Sequence, residues 1–256
     1  HSSNESYEVQ INDNADVCIN IVAVKRQGEF LLQTVASLLD SIVRNPLLRI
    51  NVVICDVSAT PNEELQQLKP YVRAFLKGIF FSRITCICQR VASKISRYLL
   101  LMEDDVVVTP KFSPLLTSLV KQMDSKPDIH YVKLFHPIHL RGIPYYFQVQ
   151  TIFLFNVRIF FCTFSFFYII ELSESCCTPA VLYRTDKISG ITDYLSKFKD
   201  SGEPKDILLD NSPFQSRMTD ANVVLHIGYF SSLRNNYVVL DVIKQYHKQL
   251  RHFFPF

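Results

Sequence analysis

The chain has 256 residues, of which 48% are hydrophobic and 20% charged, a composition typical of a globular protein with a sizeable core. Its 27 basic and 24 acidic residues give a net charge of +3, and no basic block is present. Because nucleic-acid binding needs clustered positive charge, this balance argues against a nucleic-acid partner. The six glycines form no Gly-rich phosphate loop, which argues against a dinucleotide-dependent dehydrogenase and a P-loop NTPase.

The first half of the chain alternates apolar runs with amphipathic segments. Apolar positions recur at helical spacing in residues 29–42 and 112–123, and Pro61 with the acids after it is typical of a helix start. Strand composition is found in residues 17–24, 49–55, 79–88, 98–102 and 131–134. This alternation predicts a mostly parallel sheet flanked by helices.

Three consecutive carboxylates follow the apolar run 98–102. Glu103, Asp104 and Asp105 are therefore expected at the carboxyl end of a buried strand, where open α/β sheets bind ligands. Carboxylate oxygens suit Mn²⁺ or Mg²⁺, and such ions commonly bridge to phosphates. The pattern predicts a metal held against a nucleotide diphosphate. A solvated acidic turn is the alternative.

The composition changes sharply in residues 145–170, where Phe, Ile, Leu, Val and Tyr dominate. A helix that spans a membrane needs roughly 20 mostly apolar residues, and this stretch has that length. Arg158 lies within it, however, and an arginine near the centre of a bilayer is costly. A membrane-inserted element is the favoured interpretation, and a pair of buried strands is the alternative.

Beyond Glu171 the chain returns to a mixed polar and apolar composition. Residues 179–183 and 223–225 predict strands, and residues 191–197 predict a helix. Asp206 and Asp210 are four residues apart, so they share one face if the segment is helical. The seven cysteines contain no CxxC pair, which argues against a structural zinc and leaves disulfides in a secretory compartment open.

Several segments together resemble one family. In chain order they are VAVKR at 22–26, LLQTVASLL at 31–39, EDD at 103–105, KLFHP at 133–137, the apolar stretch, and HIGYFSSL at 226–233. They are similar to the Golgi glycosyltransferases that add N-acetylgalactosamine to glycosylphosphatidylinositol (GPI) anchors, the post-GPI-attachment-to-proteins factor 4 family. A more distant resemblance is to the N-acetylglucosaminyltransferases IV.

The resemblance implies a GT-A-like fold, interrupted by a membrane-inserted segment, in the Golgi membrane with its catalytic domain in the lumen. It divides the chain into an exposed segment (1–16), a nucleotide-sugar-binding half (17–142), the apolar insert (143–172), an acceptor half (173–234) and a tail (235–256). The implied partners are a GPI-anchored protein or GPI glycolipid as acceptor, and membrane lipid around residues 145–170.

The reaction implied is the inverting transfer of N-acetylgalactosamine from UDP-N-acetylgalactosamine (UDP-GalNAc) to a mannose of the GPI glycan. Such a transfer needs a general base for the acceptor hydroxyl and a cation, Mn²⁺ or Mg²⁺, for the departing UDP. One alternative is an N-acetylglucosaminyltransferase acting on N-glycans. Another is a non-catalytic, membrane-attached relative.

The resemblance also assigns roles to individual residues. Asp105 and His226 would hold the metal, although a buried core histidine is the alternative for His226. Asp206 or Asp210 would be the base, although either alone also fits a solvated helix face. Lys133, His136 and Arg141 are basic groups near the insert that are expected to meet the phosphate of the acceptor, with ordinary surface charges as the alternative.

The donor nucleotide is assigned to the ends of the first strands. Ala23, Val24 and Arg26 would border the uridine and the phosphate, and Glu103 and Asp104 would lie beside the diphosphate. Asp56 follows the second strand and would contact uridine or ribose. A turn aspartate is the alternative for Asp56, since aspartate commonly bonds its own backbone in turns.

Overall fold

A computed structural model describes most of the two predicted halves. The described residues are 14–25, 28–58, 60, 62–68, 74–77, 96–135, 169–170, 178–198, 200–219, 222–228, 230–231 and 236–237. The strand predicted at 79–88, the residue Arg26 and all but the end of the apolar stretch lie outside this part of the chain. Those predictions therefore remain predictions.

The described part of the chain forms strands and five helices. The helices are α1 (Phe30–Arg44), α2 (Glu63–Leu68), α3 (Phe112–Ser125), α4 (Thr185–Lys197) and α5 (Lys205–Asp210). The strands are β1 (Ala15–Ala23), β2 (Ile50–Asp56), β3 (Ala74–Lys77), β4 (Ser96–Glu103), β5 (Val106–Val108), β6 (Tyr131–Lys133), β7 (Ile169–Ile170), β8 (Ala180–Arg184), β9 (Ser216–Thr219), β10 (Val224–His226), β11 (Phe230–Ser231) and β12 (Asn236–Tyr237).

Eight strands form one mixed sheet in the order β3-β2-β1-β4-β8-β6-β9-β7. β1 pairs in parallel with β2 and β4, and β2 pairs in parallel with β3, so the carboxyl ends of these four strands lie at one edge. β8 is antiparallel to both β4 and β6. The prediction of a mostly parallel sheet flanked by helices is confirmed, with β8 and the short edge strand β7 running the other way.

Each face of the sheet is covered by helices because the strands carry apolar residues on both faces. In β1, Ile19 and Ile21 belong to the cluster that includes Leu38 of α1 and Leu116 of α3. On the other face, Cys18 packs in a cluster that includes residues of α4 and α5. This double covering explains why the strands have near-continuous apolar sequences rather than alternating ones.

Two features of the second half of the chain differ from the sequence predictions, the start of α4 and the pairing of Ile169 and Ile170. α4 begins at Thr185, six residues before the predicted start, because Gly190 is accommodated within the helix and packs close to the ring of Phe214. Ile169 and Ile170, at the end of the predicted insert, pair with β9 as strand β7. Among the described residues, no helix combines the length and the apolar character needed to cross a membrane.

The two described cysteines of β1 and β2 are both buried but differ in state. Cys18 is a free thiol, and burial raises its pKa to about 12. Cys55 is disulfide-bonded. The chain therefore contains at least one disulfide bond, a possibility that the sequence analysis left open.

An ion pair between Lys133 of β6 and Asp210 of α5 is buried beneath this helix. The side chains are only 3% and 9% exposed, and the Lys133 ammonium donates to Oδ1 of Asp210. Beside the pair, the hydroxyl of Tyr131 donates to the carbonyl of Leu209 at 3.0 Å. Burial raises the pKa of Tyr131 to about 12, so its phenol stays protonated and remains a donor. Lys133 thus anchors α5 to the sheet and is not the ordinary surface charge named as its alternative, while its contact with the acceptor phosphate stays a prediction.

Replacing Lys133 alone should strongly destabilise the fold, because it leaves the Asp210 carboxylate buried without its cation. We expect Lys133→Met to lower the free energy of unfolding by about 3–5 kcal/mol in denaturant titrations. The double variant Lys133→Met/Asp210→Leu should recover most of that loss, since an apolar pair of similar volume needs no compensating charge. A single variant as stable as the wild type would contradict this account of α5.

Candidate active site

The acidic residues lie where β4 ends and the chain turns into β5. β5 pairs with β10 in antiparallel register, which places His226 opposite Val106. The N–H of Ile227 donates to the carbonyl of Asp105 at 2.9 Å and continues this pairing by one step. Two segments more than a hundred residues apart in sequence are therefore joined at the acidic turn.

Glu103, Asp105 and His226 form a compact cluster of possible metal ligands. Nε2 of His226 lies 3.2 Å from Oδ2 of Asp105 and 3.9 Å from Oε2 of Glu103. One ligand atom from each residue lies within 4.8 Å of the others. Asp105 is buried, whereas the side chains of Glu103 and His226 are 46% and 33% exposed. The cluster is therefore partly exposed to solvent, through Glu103 and His226.

The acidic segment is not a solvated turn. Asp104 and Asp105 are only 1% and 2% exposed, and adjacent buried carboxylates are costly unless each has compensating partners. The alternative interpretation of the sequence is therefore wrong for these two residues. A divalent cation beside Asp105 would offset that cost.

The donor set fits a divalent transition ion. Carboxylate oxygens suit Mg²⁺ and Mn²⁺, and the imidazole nitrogen favours a transition metal over Mg²⁺. The ring of His226 is held by an edge-to-face contact with Phe135, with centroids 6.1 Å apart. Glu103, Asp105 and His226 are thus compatible with Mn²⁺, the ion named first in the sequence analysis.

Gly228 leaves room for the carboxylate of Asp105. A Cβ at position 228 would lie 2.1 Å from Oδ2 of Asp105 and 3.2 Å from Nε2 of His226. Both atoms are the ones that would face a metal. The sequence analysis includes Gly228 in the HIGYFSSL segment but assigns it no role. Its close approach to Asp105 joins residues far apart in sequence, and such a contact leaves no local pattern.

Asp104 has a different role from Asp105. Its Oδ2 accepts a hydrogen bond at 2.8 Å from the N–H of Val24, just beyond the end of β1. It therefore ties the first strand to the acidic turn. Direct contact of Asp104 with a nucleotide stays a prediction.

Ala23, Val24 and Asp56, three of the residues predicted to border the nucleotide, lie together at the ends of β1 and β2. The carbonyl of Ala23 accepts from the N–H of Val57 at 2.9 Å, and the N–H of Lys25 donates to the hydroxyl of Ser58 at 2.7 Å. Oδ1 of Asp56 accepts from the N–H of Ser58 at 2.9 Å. Asp56 thus has the turn role named as its alternative, and its contact with uridine or ribose stays a prediction.

The two candidate bases differ in environment. Asp210 is paired with the buried Lys133, whereas Asp206 is half-buried and its Oδ1 accepts from the N–H of Ile207 at 3.1 Å. The helix α5 confirms that the two carboxylates lie one turn apart. The pairing with Lys133 leaves Asp206 as the more accessible of the two.

Two described residues that flank the predicted insert (143–172) lie beside the metal cluster. Phe135, the last described residue before the insert, contacts the ring of His226. The carbonyl of Pro179, which follows the insert, accepts a hydrogen bond from the N–H of Glu103 at 2.9 Å. Ile169 and Ile170, within the insert, belong to the sheet as β7.

No family model matches the chain. Two solved structures match this chain with TM-scores below 0.5. They are a glycosyltransferase involved in the glycosylation of the major capsid of PBCV-1 and the galactosyltransferase LgtC with donor and acceptor sugar analogues. The first has a TM-score of 0.49 at 12% identity over 91% of this chain and 99% of its own. The second has a TM-score of 0.46 at 12% identity over 78% of this chain and 72% of its own.

The structure of S. aureus TarS 1–349 in complex with UDP has a TM-score of 0.52 at 13% identity. The match covers 82% of this chain and 59% of the TarS 1–349 chain, so the match spans about three fifths of that TarS fragment. The fold is GT-A-like. The predicted fold class is therefore confirmed in its sheet and helices, while the membrane insertion of residues 143–172 stays a prediction.

Adding a methyl group at Gly228 should weaken metal binding without unfolding the protein, because it displaces Oδ2 of Asp105 and Nε2 of His226 together. We expect Gly228→Ala to lower the affinity for Mn²⁺ about tenfold or more, measured by calorimetry on the full chain. Gly202→Asn is a matched control, since Gly202 has open space around it and a φ of 76° that asparagine tolerates. Wild-type Mn²⁺ affinity in Gly228→Ala would contradict this assignment of the site.

Proposed function

We propose that this protein is a metal-dependent inverting glycosyltransferase that moves N-acetylgalactosamine from UDP-GalNAc to a mannose of a GPI glycan. The observation that carries the proposal is the cluster of Glu103, Asp105 and His226 at the carboxyl edge of a GT-A-like sheet. The choice of donor sugar and acceptor rests on the resemblance of the sequence to the Golgi GPI-anchor transferases.

A nucleotide diphosphate suits the position of this cluster. Ligands of open α/β sheets bind outside the carboxyl ends of the strands, and the cluster lies where β4 ends, beside β1. TarS, which has a similar fold, is solved in complex with UDP. Glu103, Asp105 and His226 would hold Mn²⁺, which when bound would offset the charge that develops on the departing UDP.

Asp206 is the better candidate for the general base. From Asp210 the chain continues to Gln215, whose N–H donates to Nδ1 of His130 just before the amino end of β6. Asp206 precedes Asp210 by one helical turn, about 5.4 Å along the axis. We infer that it lies toward the opposite, carboxyl end of the sheet, where the acceptor must bind.

The chemistry then follows from these positions. The carboxylate of Asp206 takes the proton from a mannose hydroxyl as that oxygen attacks the anomeric carbon. The bond from the anomeric carbon to the diphosphate breaks on the opposite face, and UDP leaves. Attack from the face opposite the leaving group inverts the configuration at that carbon.

The placement of the apolar insert supports a membrane-borne acceptor. Phe135 and Pro179, which precede and follow residues 145–170, both lie beside the metal cluster, while Ile169 and Ile170 pair with β9 in the sheet. Insertion of the apolar residues before Ile169 into a bilayer would bring the site close to the lipid surface that carries a GPI anchor. The Cys55 disulfide supports an oxidising compartment such as the Golgi lumen.

Removing the Asp105 carboxylate should abolish nucleotide-sugar binding. We expect calorimetry in detergent to detect UDP-GalNAc binding by the wild type with Mn²⁺ but not with EDTA, and no binding by Asp105→Asn under either condition. Thermal unfolding of the variant serves as the folding control, and Asp40→Asn, on the exposed surface of α1, serves as the matched substitution.

Calorimetry with UDP-N-acetylglucosamine in place of UDP-GalNAc, followed by a transfer assay on N-glycans, separates the alternatives. Preference for UDP-N-acetylglucosamine with transfer to N-glycans would replace the proposed activity by that of an N-acetylglucosaminyltransferase. A folded wild type that binds no nucleotide sugar would instead favour a non-catalytic relative.

The base assignment is tested by Asp206→Asn. Because this change removes the proton acceptor and keeps the shape of the side chain, we expect kcat for transfer to fall by a factor of about 10² or more. The affinity for UDP-GalNAc with Mn²⁺ should stay that of the wild type, which calorimetry checks. Glu203→Gln, in the exposed loop before α5, is the matched control. Unchanged kcat in Asp206→Asn would move the role to another carboxylate.

A further inference from the structure

The helix α1 presents hydroxyl groups to the strand β5 and to the start of α3. The Oγ of Ser37 accepts a hydrogen bond from the N–H of Val108 in β5 at 3.2 Å, and the Oγ of Ser41 accepts from the N–H of Ser113 in α3 at 3.2 Å. Thr34, one turn before Ser37, makes two bonds instead of one with the acidic turn. Thr34 and Ser37 therefore substitute for a neighbouring strand along the edge of β5 that β10 does not cover.

Thr34 bonds the peptide groups on both sides of Asp105. Its hydroxyl donates to the carbonyl of Asp104 at 2.6 Å and accepts from the N–H of Val106 at 3.2 Å. The first bond fixes the peptide group before the Cα of Asp105, and the second fixes the peptide group after it. The second group is held from the other side as well, because its carbonyl accepts from the N–H of Ile227.

Fixing both peptide groups fixes the direction of the bond from Cα to Cβ at Asp105. That direction decides whether Oδ2 of Asp105 lies within reach of Nε2 of His226, and the two atoms are 3.2 Å apart. Thr34 itself is fully buried, so its hydroxyl is committed to the backbone and acts on a ligand only through Asp105.

We propose that Thr34 is a positioning residue that orients the Asp105 carboxylate for Mn²⁺ and, through it, for the diphosphate of the donor. The proposal rests on the proposed function and adds a residue to its machinery that sequence analysis placed only within a helix. Groups that hold a metal ligand in place typically contribute about 10- to 100-fold to metal affinity.

The test compares three variants of the full chain in detergent. Thr34→Val removes the hydroxyl and keeps the shape, Thr34→Ser keeps the hydroxyl, and Ser37→Ala removes a similar backbone bond one turn farther along α1. We expect Thr34→Val to lower the affinity for Mn²⁺, measured by calorimetry, about tenfold or more. Thr34→Ser and Ser37→Ala should both bind Mn²⁺ as the wild type does.

Thermal unfolding of each variant separates positioning from stability. Ser37→Ala leaves the N–H of Val108 without its acceptor, so a purely structural role for Thr34 would change both variants alike. If Thr34→Val does not fold, Thr34→Ala removes the same hydroxyl and carries the same expectation. Wild-type Mn²⁺ affinity in Thr34→Val, or an equal loss in Ser37→Ala, would overturn the proposal.

Mn²⁺ binding and sugar transfer, both measured on the wild type, distinguish failure of this proposal from failure of the proposed function. Mn²⁺ binding that depends on Thr34, in a protein that transfers no sugar, would support the positioning role and overturn the transferase. Failure of the wild type to bind Mn²⁺ would overturn both.

Discussion

Two adjacent carboxylates are buried at the turn between β4 and β5, and the surrounding structure is arranged to hold them. Asp104 and Asp105 are almost fully enclosed, and an ionised carboxylate keeps its charge in such a place only with strong partners. The chain supplies the two side chains with different ones. Asp104 receives the N–H of Val24, whereas Asp105 lies against His226. One acid thereby serves the scaffold, and the other belongs to the candidate metal cluster.

The topology of the sheet makes this division achievable. Because β1 lies beside β4 in parallel register, the end of β1 reaches the acidic turn and provides a backbone donor for Asp104. Because β5 lies outside the main sheet and pairs with β10, His226 of β10 reaches Asp105. The site thus joins the two predicted halves, residues 17–142 and 173–234, so neither half contains it alone.

The sequence predicted the strands and helices whose apolar residues recur in a regular pattern. It did not predict contacts between distant segments. The apolar runs of β1, β2 and β4 and the amphipathic pattern of α1 gave the sheet and its covering, because burial on both faces leaves a continuous record in composition. β5 and β9 are too short to leave such a record. The buried partner of Lys133 and the close approach of Gly228 to Asp105 depend on tertiary packing, so no local pattern marks them.

The helix α1 links the residues predicted to border the nucleotide to the candidate metal cluster. On one side the N–H of Leu32 donates to the carboxylate of Glu64 at 3.0 Å, which ties the start of α1 to α2 and the loop after β2. On the other side Thr34, two residues later, bonds the backbone around Asp105. Since the apolar face of α1 is packed on the sheet through Leu31, Val35 and Leu38, the helix cannot shift toward one side without straining the other. A nucleotide sugar whose base and diphosphate bind on these two sides would therefore meet a spacing that is set before it arrives, which reduces the ordering that binding requires.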